Sequence, residues 1–217
     1  MKKIFGLVIA LVCSAAACHA FESVPKPEYH ERRVALAARM KTGVAILFAN
    51  EEPSLEYQEF RQDEDFYYLT GWNEPGAAII IIPPADAEPE TPGTGLGGRA
   101  AQAYREILFL PSRIPRMEKY TGAKMDAATP NVTTVTGFDE VMPMTELPSV
   151  LNKLALSDRM RMQNVWAEKN STATNALLGF VAATLRMPAI DIAQDVSEPL
   201  MELRAIKSPA EVELIRK

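Results

Sequence analysis

The chain has 217 residues, 47% apolar and 24% charged, the balance of a soluble globular protein with room for one well-filled core. Its formal net charge is -5 and no basic stripe runs along it, which argues against nucleic-acid binding. Both cysteines, Cys13 and Cys18, and one of the two histidines, His19, fall among the first twenty residues, so the remainder holds neither a thiol nucleophile nor a multi-histidine metal centre.

Those first residues form a unit. Lys2 and Lys3 are followed by an apolar run from Ile4 to Val12 and by small residues from Ser14 to Ala20. The pattern reads as a secretory signal peptide over residues 1–20, cleaved after Ala20, and implies export to the periplasm or the exterior. The apolar run is too short for a permanent membrane span. A second reading makes Cys18, behind Ala15, Ala16 and Ala17, a lipid-anchor cysteine, although the usual leucine-like residue three places upstream is missing. Without cysteines the mature chain relies on its core rather than on disulfides.

Residues 21–28 are rich in proline and charge and read as a linker. Tyr29 to Lys41 carries Val34, Ala37, Ala38 and Met40 at helical spacing, and Gly43 closes it. Val44 to Ala49 predicts a buried strand, Glu51 to Asp65 an irregular polar stretch, Phe66 to Leu69 an aromatic strand, and Gly71 to Gly76 a turn. Ala77 to Ile82 is an unbroken apolar run stopped by Pro83 and Pro84, a central strand covered on both faces. Ala85 to Ala103 reads as a mobile insertion, and Glu106 to Leu110 as the returning strand. Arg116 to Tyr120 predicts a short helix and Asn131 to Val135 an extended segment. Thr145 to Leu156 fits an amphipathic helix, Met162 to Trp166 a strand, and Thr172 to Leu185 a further helix. The alternation predicts an α/β fold, a mixed sheet flanked by helices. At the end, Ser208-Pro209-Ala210-Glu211 is a capping-box helix start. The helix begins well and has no stop signal before Lys217, which reads as sequence cut short.

Chemistry-bearing patterns are few. His30 reads as a solvated residue on the first helix. Gly93 to Gly98 matches G-x-G-x-x-G, but prolines separate it from any strand, so it does not read as a cofactor loop. Asp63, Glu64 and Asp65 suggest a hard-cation site less well than a solvated turn, with Arg61 bracing Asp63 and Asp65. Asn131 and Asn170 open short glycosylation matches of the kind that arise by chance.

One stretch is specific. Phe60-Arg61-Gln62-Asp63-Glu64-Asp65-Phe66-Tyr67-Tyr68-Leu69-Thr70-Gly71-Trp72-Asn73-Glu74-Pro75 resembles F-R-Q-x-x-x-F-x-Y-L-T-G-F-x-E-P, the signature of the aminopeptidase P N-terminal domain in the creatinase/prolidase superfamily. Trp72 stands where the pattern has Phe. Arg32, Arg33 and Leu36 resemble the family's opening R-R-x-x-L helix, and Ile107-Leu108-Phe109 its returning strand. Glu118 to Gly122 resembles E-x-W-x-G, with Tyr120 in place of Trp, and Arg204 to Glu211 resembles the R-x-I-K-S-P-x-E junction.

The resemblance implies that residues 29–203 are this N-terminal domain and that 204–217 begin a pita-bread catalytic domain otherwise absent from the chain. It implies a metal-dependent Xaa-Pro aminopeptidase that removes the first residue of peptides with proline in second position. Two Mn2+ or similar divalent ions would be held in the absent domain by two Asp, one His and two Glu. None of those ligands maps onto this chain, which is expected to bind no catalytic metal and to be inactive alone. Its implied role is homo-oligomer contact and walling of the substrate cleft. Arg61 and Tyr120 are the candidate cleft residues, the Tyr120 ring packing against the substrate proline. A stand-alone assembly module, or the N-domain of a prolidase-like dipeptidase, is the other reading.

Overall fold

The computed structural model describes residues 23–53, 58–85, 101–169 and 171–216. The expected leader, both cysteines and the Gly93 to Gly98 match lie outside them, as do most of the expected insertion and residues 21 and 22 of the linker. Helix α1 (Lys26–Met40) leads into β1 (Val44–Phe48), α2 (Glu64–Thr70), β2 (Ala78–Ile82) and β3 (Arg105–Leu110). Short helices α3 (Glu118–Thr121) and α4 (Val132–Thr136) precede β4 (Glu140–Pro143). Then come α5 (Leu147–Ser157), β5 (Val165–Ala167), α6 (Thr172–Leu185), α7 (Ala189–Ile192), β6 (Ala193–Asp195), α8 (Ser197–Ala205) and α9 (Pro209–Ile215).

The strands form one six-stranded mixed sheet, ordered β4-β3-β2-β1-β5-β6. β2 lies antiparallel between β1 and β3, with Ile80 opposite both Ile46 and Ile107. β4, β5 and β6 extend the two sides in parallel. Because side chains alternate across a strand, the run Ile79 to Ile82 feeds two cores at once. Ile80 and Ile82, with Val44, Ile46, Ile107 and Phe109, pack under α5 and α6 through Leu147, Leu151, Leu154, Val181 and Leu185. Ile79 and Ile81, with Ala45, Leu47, Leu108 and Leu110, pack against Leu36, Ala37 and Met40 of α1, Phe66 and Leu69 of α2, and Leu200 of α8. The α/β class, the central strand, α6 and the capping box of α9 are as expected. In that box the Ser208 hydroxyl accepts from the Glu211 amide at 3.1 Å, and the Ser208 amide donates to Glu211 Oε2 at 2.9 Å.

Two segments differ from expectation. Phe66 to Leu69 is helix, not strand. Asp63 caps it, its Oδ1 accepting from the amides of Asp65 at 3.0 Å and Phe66 at 2.8 Å. Phe66, Leu69 and Thr70 then fall on one buried face at helical spacing. Gly71 ends the helix with φ 63°, and a Cβ there would lie 2.5 Å from Cζ of Tyr29, so both conformation and space require glycine. Asn131 to Val135 is likewise not extended. Its β-branched residues form most of α4, anchored by buried Val132 and by the Thr136 hydroxyl donating to the Val132 carbonyl at 2.8 Å. Tertiary anchoring here outweighs local propensity. Smaller shifts occur at α3, which starts at Glu118, and at β5, which a turn at Arg161–Gln163 delays to Val165. β4, α7, β6 and α8 carry no strong sequence signal and were not anticipated.

Trp72 is buried, and among the described residues its indole Nε1 has no hydrogen-bond partner. An orphaned buried donor costs about 1–3 kcal/mol. Trp72→Phe is therefore expected to stay within about 1 kcal/mol of the parent in urea unfolding, the relieved donor offsetting the lost ring area. Phe66→Ala, which only removes packing, is expected to cost about 3–5 kcal/mol.

Candidate functional site

The candidate site is built on the segment from Phe60 to Trp72. Gln62, itself buried, holds it. Its Oε1 accepts from the amides of Asn50 and Asp63, each at 2.9 Å, while Nε2 donates to the carbonyls of Trp72 at 3.2 Å and Glu74 at 3.0 Å. One side-chain amide thus fixes both the entry to α2 and the exit loop. Arg61 is left outside, 83% exposed, on the wall of a groove of about 450 Å³ that Asn50, Glu51, Gln58 and Phe60 also line. Its ionic partner is Glu64 at 2.9 Å rather than Asp63 or Asp65. Asp63 is a helix cap and Asp65 pairs with Arg204 across the fold, so the acidic triplet is not a plain solvated turn.

Tyr120 lies elsewhere, on α3, with 85% of its surface open. It does not line the groove beside Arg61. The bidentate pair of Arg113 Nε and Nη2 with Glu118, both at 2.7 Å, braces this helix, and Ile114 and Met117 are exposed near Tyr120 in sequence. The Arg113 guanidinium holds the Glu118 carboxyl below its ordinary value.

A second polar–aromatic cleft, about 360 Å³, joins α1, α2, α8 and α9. Arg32 lies at its floor, 4.2 Å from the Tyr68 ring centroid and 5.2 Å from that of Tyr29. It donates to the Tyr68 carbonyl at 3.0 Å and pairs with Glu28 and, at 3.5 Å, with Glu211. The Ser208 hydroxyl donates to Glu28 at 2.7 Å, and the Tyr68 hydroxyl donates to the Leu203 carbonyl at 3.2 Å. Arg204 closes the rim through Asp65 and Glu64. Ser208 and Glu211 are thereby latched to α1, and Arg204 to α2.

Beneath lies a pair that sequence reasoning did not find. Arg33 and Glu106 are both 0% exposed. Arg33 Nε donates to Glu106 Oε2 at 2.8 Å and Nη2 to Oε1 at 2.7 Å. Nη1 and Nη2 also donate to the carbonyls of Leu69 and Gly137, each at 2.8 Å, and the guanidinium stacks 3.8 Å from the Phe138 centroid. The Tyr104 hydroxyl donates to Glu106 Oε2, and His30 Nδ1 lies 3.2 Å from Oε1. Burial opposes ionisation of Glu106, yet these donors hold its carboxyl below the ordinary range, and burial pushes the Tyr104 phenol up. His30 is therefore a half-buried member of this network, packed edge-on to Tyr104 at 5.8 Å, rather than a simply solvated residue. A glutamate opening an otherwise apolar strand, and an arginine on the apolar face of a helix, were the available signals.

His30, Glu106 and Asp139 come within 4.8 Å of one another, the spacing of a divalent-metal site. The donor set does not fit one, because both Glu106 oxygens are already engaged by Arg33, Tyr104 and His30. Among the described residues no helix is long and apolar enough to cross a membrane. At the carboxyl ends of β5 and β6, burial and the neighbouring Asp63 and Asp65 push the Glu168 carboxyl up to about 8, while the Lys169 ammonium holds Asp195 down at about 2.

A family model described as the aminopeptidase P N-terminal domain matches residues 29–162. The chain is 26% identical over 201 residues to the Xaa-Pro aminopeptidase of Haemophilus influenzae, covering 89% of this chain and 40% of the relative. Among solved structures it matches aminopeptidase P from Escherichia coli with a TM-score of 0.68 at 22% identity. It matches the Yersinia pestis proline aminopeptidase P II with a TM-score of 0.66 at 25% identity. Each covers 89% of this chain and 42% of the solved one. The chain thus spans about two fifths of the length of these relatives.

Removing one partner of a fully buried ion pair leaves the other uncompensated. Glu106→Gln and Arg33→Met are each expected to cost about 3–5 kcal/mol in urea unfolding. Because the folded-state pKa of Glu106 is depressed, its stabilisation is present above the ordinary carboxyl value of 4.5 and is lost as pH falls through the folded value. The acid limb of the stability profile should accordingly be shallower in Glu106→Gln than in the parent.

Proposed function

We propose, for a chain that belongs to the aminopeptidase P N-terminal domain family, that it is the non-catalytic N-terminal part of an exported, metal-dependent Xaa-Pro aminopeptidase. The observation that carries this reading is the alignment of 89% of the chain onto 40% of a relative named Xaa-Pro aminopeptidase. The substrates would be peptides with proline in second position. Two divalent ions, Mn2+ or similar, would supply Lewis acidity and an activated water in the remainder of the protein. The described residues would supply walls. Their buried networks shape a rigid support, and their exposed groups face outward.

In this reading the segment 204–217 begins the catalytic part, and residues 1–20 direct export. The Arg32 latch supports the first point, because it fixes the angle at which α9 leaves the domain. Arg61 and Tyr120 border the substrate cleft of the assembled protein, in the same subunit or a neighbouring one. Both are exposed, and neither is needed for packing. Exposed Tyr120, Ile114 and Met117 also offer a surface for homo-oligomer contact.

Tyr120→Ala and Arg61→Ala in the longer protein are expected to lower kcat/KM for Xaa-Pro peptides by roughly tenfold. The unfolding midpoint should be unchanged. The 217-residue chain alone should show no turnover in the same assay with Mn2+ added. Unchanged turnover in Tyr120→Ala would remove that residue from the cleft. Turnover by the isolated chain would contradict the non-catalytic assignment.

A further inference from the structure

One guanidinium brings His30 and Asp139 together. Arg33 follows His30 by one turn of α1 and pairs with Glu106 of β3. It also holds the Gly137 carbonyl at 2.8 Å and stacks on Phe138, so the next residue, Asp139, leads into β4 from a fixed turn. His30, Glu106 and Asp139 each bring a ligand atom within 4.8 Å of the other two. His30 and Asp139 line one surface cavity of about 470 Å³, with Thr133 and Thr134 of α4 on its wall.

The contact with Glu106 fixes which imidazole nitrogen carries the proton. Glu106 is fully buried and already accepts from Arg33 Nε, Arg33 Nη2 and the Tyr104 hydroxyl. A carboxylate has acceptors and no donor, so His30 Nδ1, 3.2 Å from Oε1, is the donor. In the neutral ring Nε2 then has no proton and presents a lone pair. Tyr104 packs edge-on at 5.8 Å and limits rotation of the ring, while the side chain stays 41% exposed. Glu106 itself is closed to an ion. A carboxylate behind an imidazole is nonetheless the arrangement that orients a metal-binding histidine and raises its basicity.

Charge favours a cation at this place. Arg33 neutralises Glu106, and the Lys26 ammonium is held by the Val135 carbonyl. Among the described residues Asp139 has no hydrogen-bond or ion-pair partner, and its exposed carboxylate can turn toward the ring. We infer that His30 Nε2 and Asp139 form a binding site for a divalent transition-metal ion of the zinc type, with Glu106 orienting His30 from behind and water filling the remaining positions. One imidazole and one carboxylate suit Zn2+, Ni2+ or Cu2+. They do not suit Ca2+ or Mg2+, which require a shell of oxygens. The Thr133 and Thr134 hydroxyls can hydrogen-bond the waters on the ion. Bound there, the ion joins α1 to the turn before β4, above the buried pair. The inference concerns this chain and does not rest on the activity of a longer protein.

The 217-residue chain has two histidines, so His19→Gln leaves His30 as the single imidazole signal. Nitrogen-15 NMR of that ring at about pH 8, above the imidazole range, reads its tautomer directly. The proton is expected on Nδ1, the minor form in free histidine. This reading is made with His30 and Asp139 intact, so it stands whether or not a further variant folds. Zn2+ titrated into the metal-free chain should shift Nε2, and Mg2+ should leave it unmoved. In the same background, Asp139→Asn and His30→Gln should each weaken Zn2+ binding at least about tenfold in calorimetry. A proton on Nε2, a ring unmoved by Zn2+, or Zn2+ binding unaltered by Asp139→Asn would overturn the inference. Displacement of Zn2+ by equal Mg2+ would overturn it too, since the site would then be a plain acidic patch.

Discussion

The buried pair of Arg33 and Glu106 is the constraint on which the arrangement of this domain depends. Four pieces of chain that are far apart in sequence meet at one guanidinium: α1, the end of α2, β3 and the turn before β4. Apolar packing alone would hold α1 on the sheet but would tolerate sliding, since Leu, Ile and Ala contacts are not directional. The guanidinium accepts only one placement, because its donors must meet two carboxylate oxygens and two carbonyls at once. A buried pair of this kind adds little net stability against a well-packed apolar alternative, but leaving either partner alone is costly. Its contribution here is to register, and the Phe60 to Trp72 segment takes its position from that register through the Leu69 carbonyl.

Around this fixed centre the polar groups are arranged in layers of increasing exposure. Gln62 satisfies the backbone on both sides of α2. Arg32 ties Glu28, Tyr68 and the start of α9 together near the surface. Arg61 and Tyr120 lie at the surface, Arg61 paired there with Glu64 and Tyr120 open to solvent. The domain thus separates groups that set its shape from groups free to touch another surface.

Much of the framework was legible in the sequence because burial on both faces leaves an unmistakable run. Ala77 to Ile82 announces a central strand, and Ser208 to Glu211 announces a helix start. Tyr67 and Tyr68 misled, because aromatic residues favour strands. The cap at Asp63 and the closing glycine at Gly71 decided for helix. Val132 to Thr136 misled for the related reason that β-branched residues have low helix propensity, which a buried Val132 overrides. Pairings remote in sequence were illegible. Nothing near Arg33 indicates Glu106, 73 residues away. Such partners become readable only once the strand order is known. Arg61 and Tyr120 were singled out by motif, and their exposure leaves that reading open to direct test.

The most direct test of the central claim is to read the source DNA beyond the codon for Lys217. The account predicts an open frame continuing for roughly another domain length, carrying Asp, Asp, His, Glu and Glu in metal-ligand order. A stop codon immediately after Lys217 would contradict it, and would make this chain a free-standing member of its family with an assembly or binding role.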